Sequence, residues 1–364
     1  MLKRLFWGIP LLLIFAGTGG MPYAASEEEK VSGPVFTKGL DGLKIGALWY
    51  LSFQDGSENG RGYSNFRIKR GYINITKTIF TWGRTDLEGR ITPDVTQDDT
   101  GDVKVRLKYA YAQFKYKGVS WEPWMEFGIV HMPWLDFEEH VNMYRMQDTL
   151  FMERNSAFNS ADFGVTFGGF LGPKLNDLKY YPGKYGSFAV GVYNGGGYHA
   201  KDNNRNKAIE GRITVRPFPV AVRGLQFSYF GVLGRGNTEK APDWTVNSGM
   251  VSYEAKYAVL TATYYAGEGT QKGTSVDAFG KALPRDGYSF FGEYKLPKNI
   301  SFIGRYDFFD PNNNTYGDEN KRIIAGVAWD MGNHNTWLLD YERVSYKDHR
   351  EDDGRIQLTL QISF

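Results

Sequence analysis

Near its end the chain alternates without a break. Ile356, Leu358, Leu360, Ile362 and Phe364 are apolar, and Arg355, Gln357, Thr359, Gln361 and Ser363 between them are polar. A period of two is that of a β-strand with one apolar face. The same period recurs upstream, where Val103, Val105, Leu107, Tyr109 and Tyr111 are expected to point away from Lys104, Arg106 and Lys108. Three cations on one face do not suit a soluble core, but they suit a strand with lipid on one side and a wet lumen on the other. Ile45/Ala47/Trp49/Leu51, Leu225/Phe227/Tyr229, Val251/Tyr253/Ala255 and Ile323/Ala325/Val327/Trp329 repeat the pattern.

About sixteen such segments succeed one another, near 43–54, 64–78, 80–92, 102–117, 120–133, 159–170, 185–195, 206–217, 222–235, 245–256, 258–268, 286–297, 299–309, 320–331, 335–347 and 353–364. An even count puts both termini at one end. The connections then alternate, with short turns near Thr78, Gly118, Phe218, Tyr257, Lys298 and Gly332 and longer polar loops at 55–63, 93–101, 196–205, 236–244, 269–285 and 310–319. The connection at 171–184 is longer than its side should carry. The expected fold is all-β: a transmembrane antiparallel β-barrel of about 16 strands.

The longest connection, the third outward loop, runs from about Trp134 to Asn159 and carries Asp136, Glu138, Glu139, His140, Arg145, Asp148, Glu153 and Arg154. Its Trp134, Phe137, Met143, Tyr144, Met146, Phe151 and Met152 argue that it is packed, so the span 135–158 is expected to fold into the lumen and narrow it.

Composition agrees with strands and interfacial rings: 24 Tyr, 25 Phe, 9 Trp and 44 Gly. After the first segment no apolar window is long enough for a membrane helix, and the mean hydropathy is −0.44. Lys3 and Arg4, the apolar run Leu5 to Ala16 and the small residues ending at Ser26 read as an export signal over 1–26, followed by a periplasmic leader over 27–40 and a barrel over 41–364. Without Lys3 and Arg4 the formal charge of +2 falls to zero, so nothing in bulk favours nucleic acid. There is no cysteine, and the five histidines have no ligand spacing, so neither metal nor cofactor is expected.

Several stretches resemble, in order, the phosphate-selective porin O and P family of sixteen-stranded outer-membrane channels. Phe66-Arg67-Ile68-Lys69-Arg70-Gly71 resembles its basic second strand, and Phe127-Gly128-Ile129-Val130-His131-Met132-Pro133-Trp134 its strand before the third loop. Phe151-Met152-Glu153-Arg154-Asn155, Phe163-Gly164-Val165, Gly191-Val192-Tyr193-Asn194-Gly195 and Gly211-Arg212-Ile213-Thr214 with Pro217-Phe218 come after them. The terminal Phe364 is similar to the assembly signal of bacterial outer-membrane barrels. The resemblance implies a homotrimer in outer-membrane lipid that passes small hydrophilic or anionic solutes, phosphate among them, past a third loop that constricts the lumen. The chain departs from the family in alternating cations with acids, as in Glu210 with Arg212 and Arg216.

Candidate pore-lining residues are Arg67, Arg70, Arg90, Lys104, Arg106, Lys108, Arg212, Arg216 and Arg305, and candidate constriction residues Glu138, Glu139, Arg145, Glu153 and Arg154. For Lys104, Arg106 and Lys108 the alternative to an anion track is pairing with acids such as Glu126 on the next strand. For Glu153 and Arg154 it is a salt bridge that pins the loop. Arg67, Lys69 and Arg70 cannot share one face of a regular strand, so a bulge or a wall-end position is required, with two of them expected in the lumen. The favoured reading is a diffusion channel in the bacterial outer membrane. The alternatives are a plugged structural or adhesive barrel, and an outer-membrane enzyme for which no motif speaks.

Overall fold

The computed structural model describes residues 35–97, 100–178, 180–348 and 350–364. The export signal expected over 1–26, residues 27–34 of the expected leader, and His349 lie outside them.

Sixteen antiparallel strands form one closed ring. They are β2 (Leu43–Glu58), β3 (Arg61–Trp82), β4 (Thr85–Gln97), β5 (Val103–Tyr116), β6 (Trp124–His131), β7 (Ala161–Leu171), β8 (Gly186–Tyr193), β9 (Ala208–Val215), β10 (Leu225–Arg235), β11 (Asp243–Glu254), β12 (Ala258–Glu268), β13 (Pro284–Leu296), β14 (Ile300–Asp310), β15 (Asn320–Gly332), β16 (Asn335–Tyr346) and β17 (Asp353–Ser363). A two-residue strand, β1 (Val35–Phe36), pairs with Thr81 and Phe80 of β3. Each ring strand pairs with the next, and β17 returns to β2 from Gly354↔Ser57 to Ser363↔Leu48. The Phe364 N–H donates to the Ala47 carbonyl at 3.2 Å, and the Ala47 N–H to the Phe364 carbonyl at 2.8 Å. In hydrocarbon an unpaired backbone group costs several kcal/mol, and closure leaves no strand edge to incur that cost.

The alternation read from the sequence fixes most faces. On β17, Ile356 and Leu358 are exposed on the outer surface, while Gln357 and Thr359 are wholly buried on the inner one. Phe227, Tyr229, Val251, Ile323, Val327 and Trp329 also face outward, giving the apolar exterior of a transmembrane barrel of the outer-membrane type.

Several sequence expectations need correction. Residues 55–63 are not a loop: β2 and β3 run on to a two-residue turn, Asn59-Gly60, whose φ values of 51° and 72° are those of a tight hairpin. The expected turn at Thr78 lies inside β3, which is bulged there and turns at Gly83-Arg84. Tyr109 and Tyr111 face inward, not to lipid: Val103 and Val105 are 58% and 69% exposed, but both tyrosines are only 8% exposed. The cause is a bulge. Thr92 pairs with Tyr109 and Pro93 with Leu107, so Lys108 has no partner in the ladder and the alternation inverts beyond it. Pro93 supplies no N–H to the ladder, which makes this the natural place to break register.

A second bulge answers the basic second strand. Tyr50 pairs with Arg70 and Leu51 with Ile68, leaving Lys69 extra. Arg67, Lys69 and Arg70 therefore all project inward, one more than the two expected.

The interior is not uniformly polar either. The inner faces of β10, β11, β13 and β14 carry Phe230, Val232, Trp244, Val246, Phe291 and Phe309, all buried in one cluster with residues of the loop between β6 and β7. That loop, L3, fills this half of the lumen. The wall from β2 to β5 is tall, β3 alone having 22 residues, whereas β6, β8 and β9 have 8 each.

Gly128 of β6 has φ +132°, and a Cβ there would lie 2.2 Å from the Ala110 carbonyl oxygen. Gly128→Ala should therefore destabilise the barrel by roughly 1–3 kcal/mol, read as a lower folded fraction in heat-modifiability gels against denaturant.

Candidate functional site

L3 contains a short helix, α1 (Leu135–Val141), and a single turn, α2 (Phe151–Arg154). Its apolar side chains anchor it. Trp134, Leu135, Phe137, Phe151 and Met152 are at most 1% exposed, with the Trp134 ring 5.4 Å from Phe230 and Phe151 6.4 Å from Phe309. Truncating one buried aromatic of this size costs about 3–5 kcal/mol.

A loop inside a barrel brings backbone carbonyls with no strand to pair them, and such groups must find donors. The wall supplies them. Arg212 Nε donates to Pro133 O (2.9 Å), Lys69 Nζ to Met146 O and Gln147 O (both 2.8 Å), and Arg305 to Thr149 O (3.1 Å). Arg285 donates to Asn155 O (2.7 Å) and Trp244 Nε1 to Ala157 O (2.7 Å). Arg212 is completed by Ser187 and Thr214, with the Phe137 ring 4.4 Å from its guanidinium; Arg305 is completed by Asp307 at 2.7 Å. Two of the candidate pore-lining arginines, Arg212 and Arg305, are thus engaged in holding L3. Arg216 is engaged elsewhere, with Gly183 O and with Gln226 at 3.1 Å.

Side chains of the loop make a second set of ties. Arg145 sits between Glu139 and Glu153, the latter at 2.7 Å, within electrostatic reach of Tyr50 and Tyr72 on the opposite wall. Arg154 lies 3.8 Å from Asp148 and 3.7 Å from Glu342 of β16; Arg355 pairs with Asp148 at 2.6 Å, and both Arg355 and Arg322 with Glu342. Glu138 accepts from Trp134 Nε1 at 2.7 Å and is buried; burial pushes its carboxyl up to about 7.

The remaining candidates gather on the inner face of the β3–β5 wall. Asp94 is wholly buried and accepts from Arg106 (2.7 Å) and Tyr198 (3.2 Å), with Arg70 3.7 Å away. Arg67 reaches Gln54 at 3.4 Å, and Lys104 is exposed opposite Thr96. Lys108, extruded by its bulge, donates to the Tyr72 hydroxyl at 3.0 Å. Arg90 donates to Asn74 (2.8 Å) and Thr92 (3.1 Å), its guanidinium 5.0 Å from the Tyr109 ring. Glu126, the acid expected to pair with these cations, is instead taken by Gln113 (2.8 Å) and His131 (2.9 Å). Arg67, Lys69, Arg70, Arg106 and Arg355 line a cavity of about 390 Å³ with one carboxylate, Asp148.

The described residues of the long connection 172–185 fold back as a hairpin, Lys174 bridging to Gly183, and enter the lumen from the end that carries the termini. Tyr181, with φ +45°, is held in the left-handed region; its hydroxyl donates to Asp136 of α1 and its ring lies 5.1 Å from Phe137. The sequence marks this connection only by its excess length.

No family model and no curated protein matches the sequence. Solved structures do match in fold. The anion-selective porin from Comamonas acidovorans superposes with a TM-score of 0.66 at 10% identity, over 88% of this chain and 99% of that one. Salmonella typhi OmpF, in complex with daunomycin, gives 0.64 at 12% identity, over 88% and 97%. The trimer form of OmpT, an outer membrane protein of Vibrio cholerae, gives 0.56 at 13% identity, over 92% and 100%. The chain has the sixteen-stranded fold of the bacterial porins.

The tethering of L3 can be tested in two ways. Arg305→Ala leaves Asp307 buried without its cation and removes the donor to Thr149, so stability should fall by about 3–5 kcal/mol in a denaturant titration. Because Glu138 titrates higher in the folded loop than in an unfolded chain, its contribution is complete below about pH 4 and is lost as pH rises through about 7. Protease cleavage within L3 should accordingly increase between about pH 4 and about pH 8, and Glu138→Gln should flatten that dependence.

Proposed function

We propose that the barrel is a water-filled channel for passive diffusion of small hydrophilic solutes across the bacterial outer membrane, with anions preferred. The observation that carries this reading is the division of the inner-wall cations. Lys69, Arg212, Arg285 and Arg305 are used to hold L3, whereas Arg67, Arg70, Arg90, Lys104 and Arg106 gather on the β3–β5 wall without donating to an L3 carbonyl, beside Lys108, which is buried.

Cations on one wall opposite a loop that carries Glu139 and Glu153 set up a transverse field, which orients a dipolar solute and favours an anion along the basic side. Asp94 tempers the preference by bridging Arg70 and Arg106. Phosphate is one anion of suitable size and charge, and the resemblance of the basic second strand is what suggests it. The fold is also compatible with a homotrimer packed through its lipid-facing exterior.

A plugged barrel is the competing reading. The burial of Tyr50, Lys108 and Arg145 where L3 nears the wall is the observation in its favour.

Planar-bilayer recording of the refolded protein separates the two. A channel gives discrete conductance steps, and under a tenfold KCl gradient the zero-current potential takes the anion-selective sign. Replacing Arg67, Arg70 and Arg106 together by Gln should move that potential toward zero or past it. A folded barrel without conductance overturns the channel reading in favour of the plug.

A further inference from the structure

We propose that the vestibule at the termini-bearing end is a binding site for a flat, ring-bearing organic monoanion, an aromatic carboxylate in its simplest form, with Arg90 as the carboxylate receptor. The proposal rests on the channel reading for solute access, but its binding site stands on separate residues.

The vestibule is a cavity of about 450 Å³ between the β3–β6 wall, α1 and the hairpin 172–185. Rings line it: Tyr111, Trp124, His131, His140, Phe170 and Tyr180. They are arranged as platforms, with His131 4.1 Å from Tyr109 and His140 4.2 Å from Tyr180. Flat apolar faces of this kind bind other flat faces in offset or edge-on contact.

Most charged groups that line the vestibule have a polar partner among the described residues. Glu88 pairs with Lys115 at 3.1 Å, Glu126 is taken by Gln113 and His131, and Asp136 accepts from Tyr181. Lys174 pairs with Glu122, and Arg212 is saturated by Pro133, Ser187 and Thr214. Arg90 is held more loosely than Arg212. Its contacts are Asn74 Oδ1, Thr92 Oγ1, the Tyr111 hydroxyl and His131 Nε2, and Asp136 of α1 acts on it only through space. Among the described residues no carboxylate lies within ion-pair distance of its guanidinium. Two of the contacts, Tyr111 and His131, are long at 3.4 Å and both involve the same terminal nitrogen. An incoming carboxylate displaces them at little loss and gains a charge-assisted hydrogen bond. The rings of Tyr111 and His131 flank the same edge of Arg90, so a carboxylate bound there carries its own ring between platforms.

The shape of the vestibule depends on the hairpin. Tyr181, in its left-handed backbone conformation, ties the hairpin to α1, and this presents Tyr180 beside His140.

The test uses the refolded full barrel in planar bilayers, with benzoate added on the termini-bearing side. Benzoate should reduce the current, and cyclohexanecarboxylate, equal in charge but not flat, should require about tenfold more for the same reduction. Arg90→Gln should raise the half-blocking benzoate concentration about tenfold or more, with Arg90→Lys intermediate. Saturation-transfer NMR with the folded protein in micelles reads benzoate binding without any current. Conductance with neither block nor transfer overturns this site and leaves the channel standing. Equal block by the two acids overturns the ring platform. Transfer without conductance supports the site and overturns the channel.

Discussion

A sheet in hydrocarbon must not have an edge, and every other feature of this barrel derives from that constraint. Pairing β17 with β2 satisfies the outer wall, but it creates an interior wide enough to admit L3. A chain segment placed there has carbonyls that no strand can satisfy. The inward side chains of the wall, Lys69, Arg212, Arg285, Arg305 and Trp244, meet that need one carbonyl at a time. Ring closure thus dictates where the cations go before any solute is considered.

The outcome is a lumen of two characters. Behind L3, β10 to β14 turn an apolar face inward and the space is packed like the core of a soluble protein. In front of it, the β3–β5 wall alternates cations with tyrosines around a single buried carboxylate, Asp94. Both faces come from strands with the same outward alternation, so the division arises entirely on the inner positions.

This explains what was legible in the sequence. Strand count and order could be read because the lipid face imposes a strict period of two, seen best from Arg355 to Phe364. The inward folding of the third loop was foreshadowed by its Trp, Phe and Met content. The bulges at Lys69 and Lys108 were not legible, since a one-residue slip leaves composition unchanged and inverts only the positions beyond it. Pro93, opposite the second bulge, was the available clue. Arg212 and Arg305 looked like pore residues because alternation tells which side chains point inward, not which meet water and which meet a loop. The hairpin 172–185 gave no periodic signal, being neither strand nor helix.

L3 also has a mechanical meaning. It is fastened to β3, β16 and β17 through Lys69, Glu342 and Arg355, and across the lumen to β9, β11, β13 and β14 through Arg212, Trp244, Arg285 and Arg305. A hollow cylinder without such a span ovalises under sideways load. With it, the cross-section is braced like an arch with a tie-beam, and lateral pressure from a swelling or stretched membrane is carried as tension along the loop.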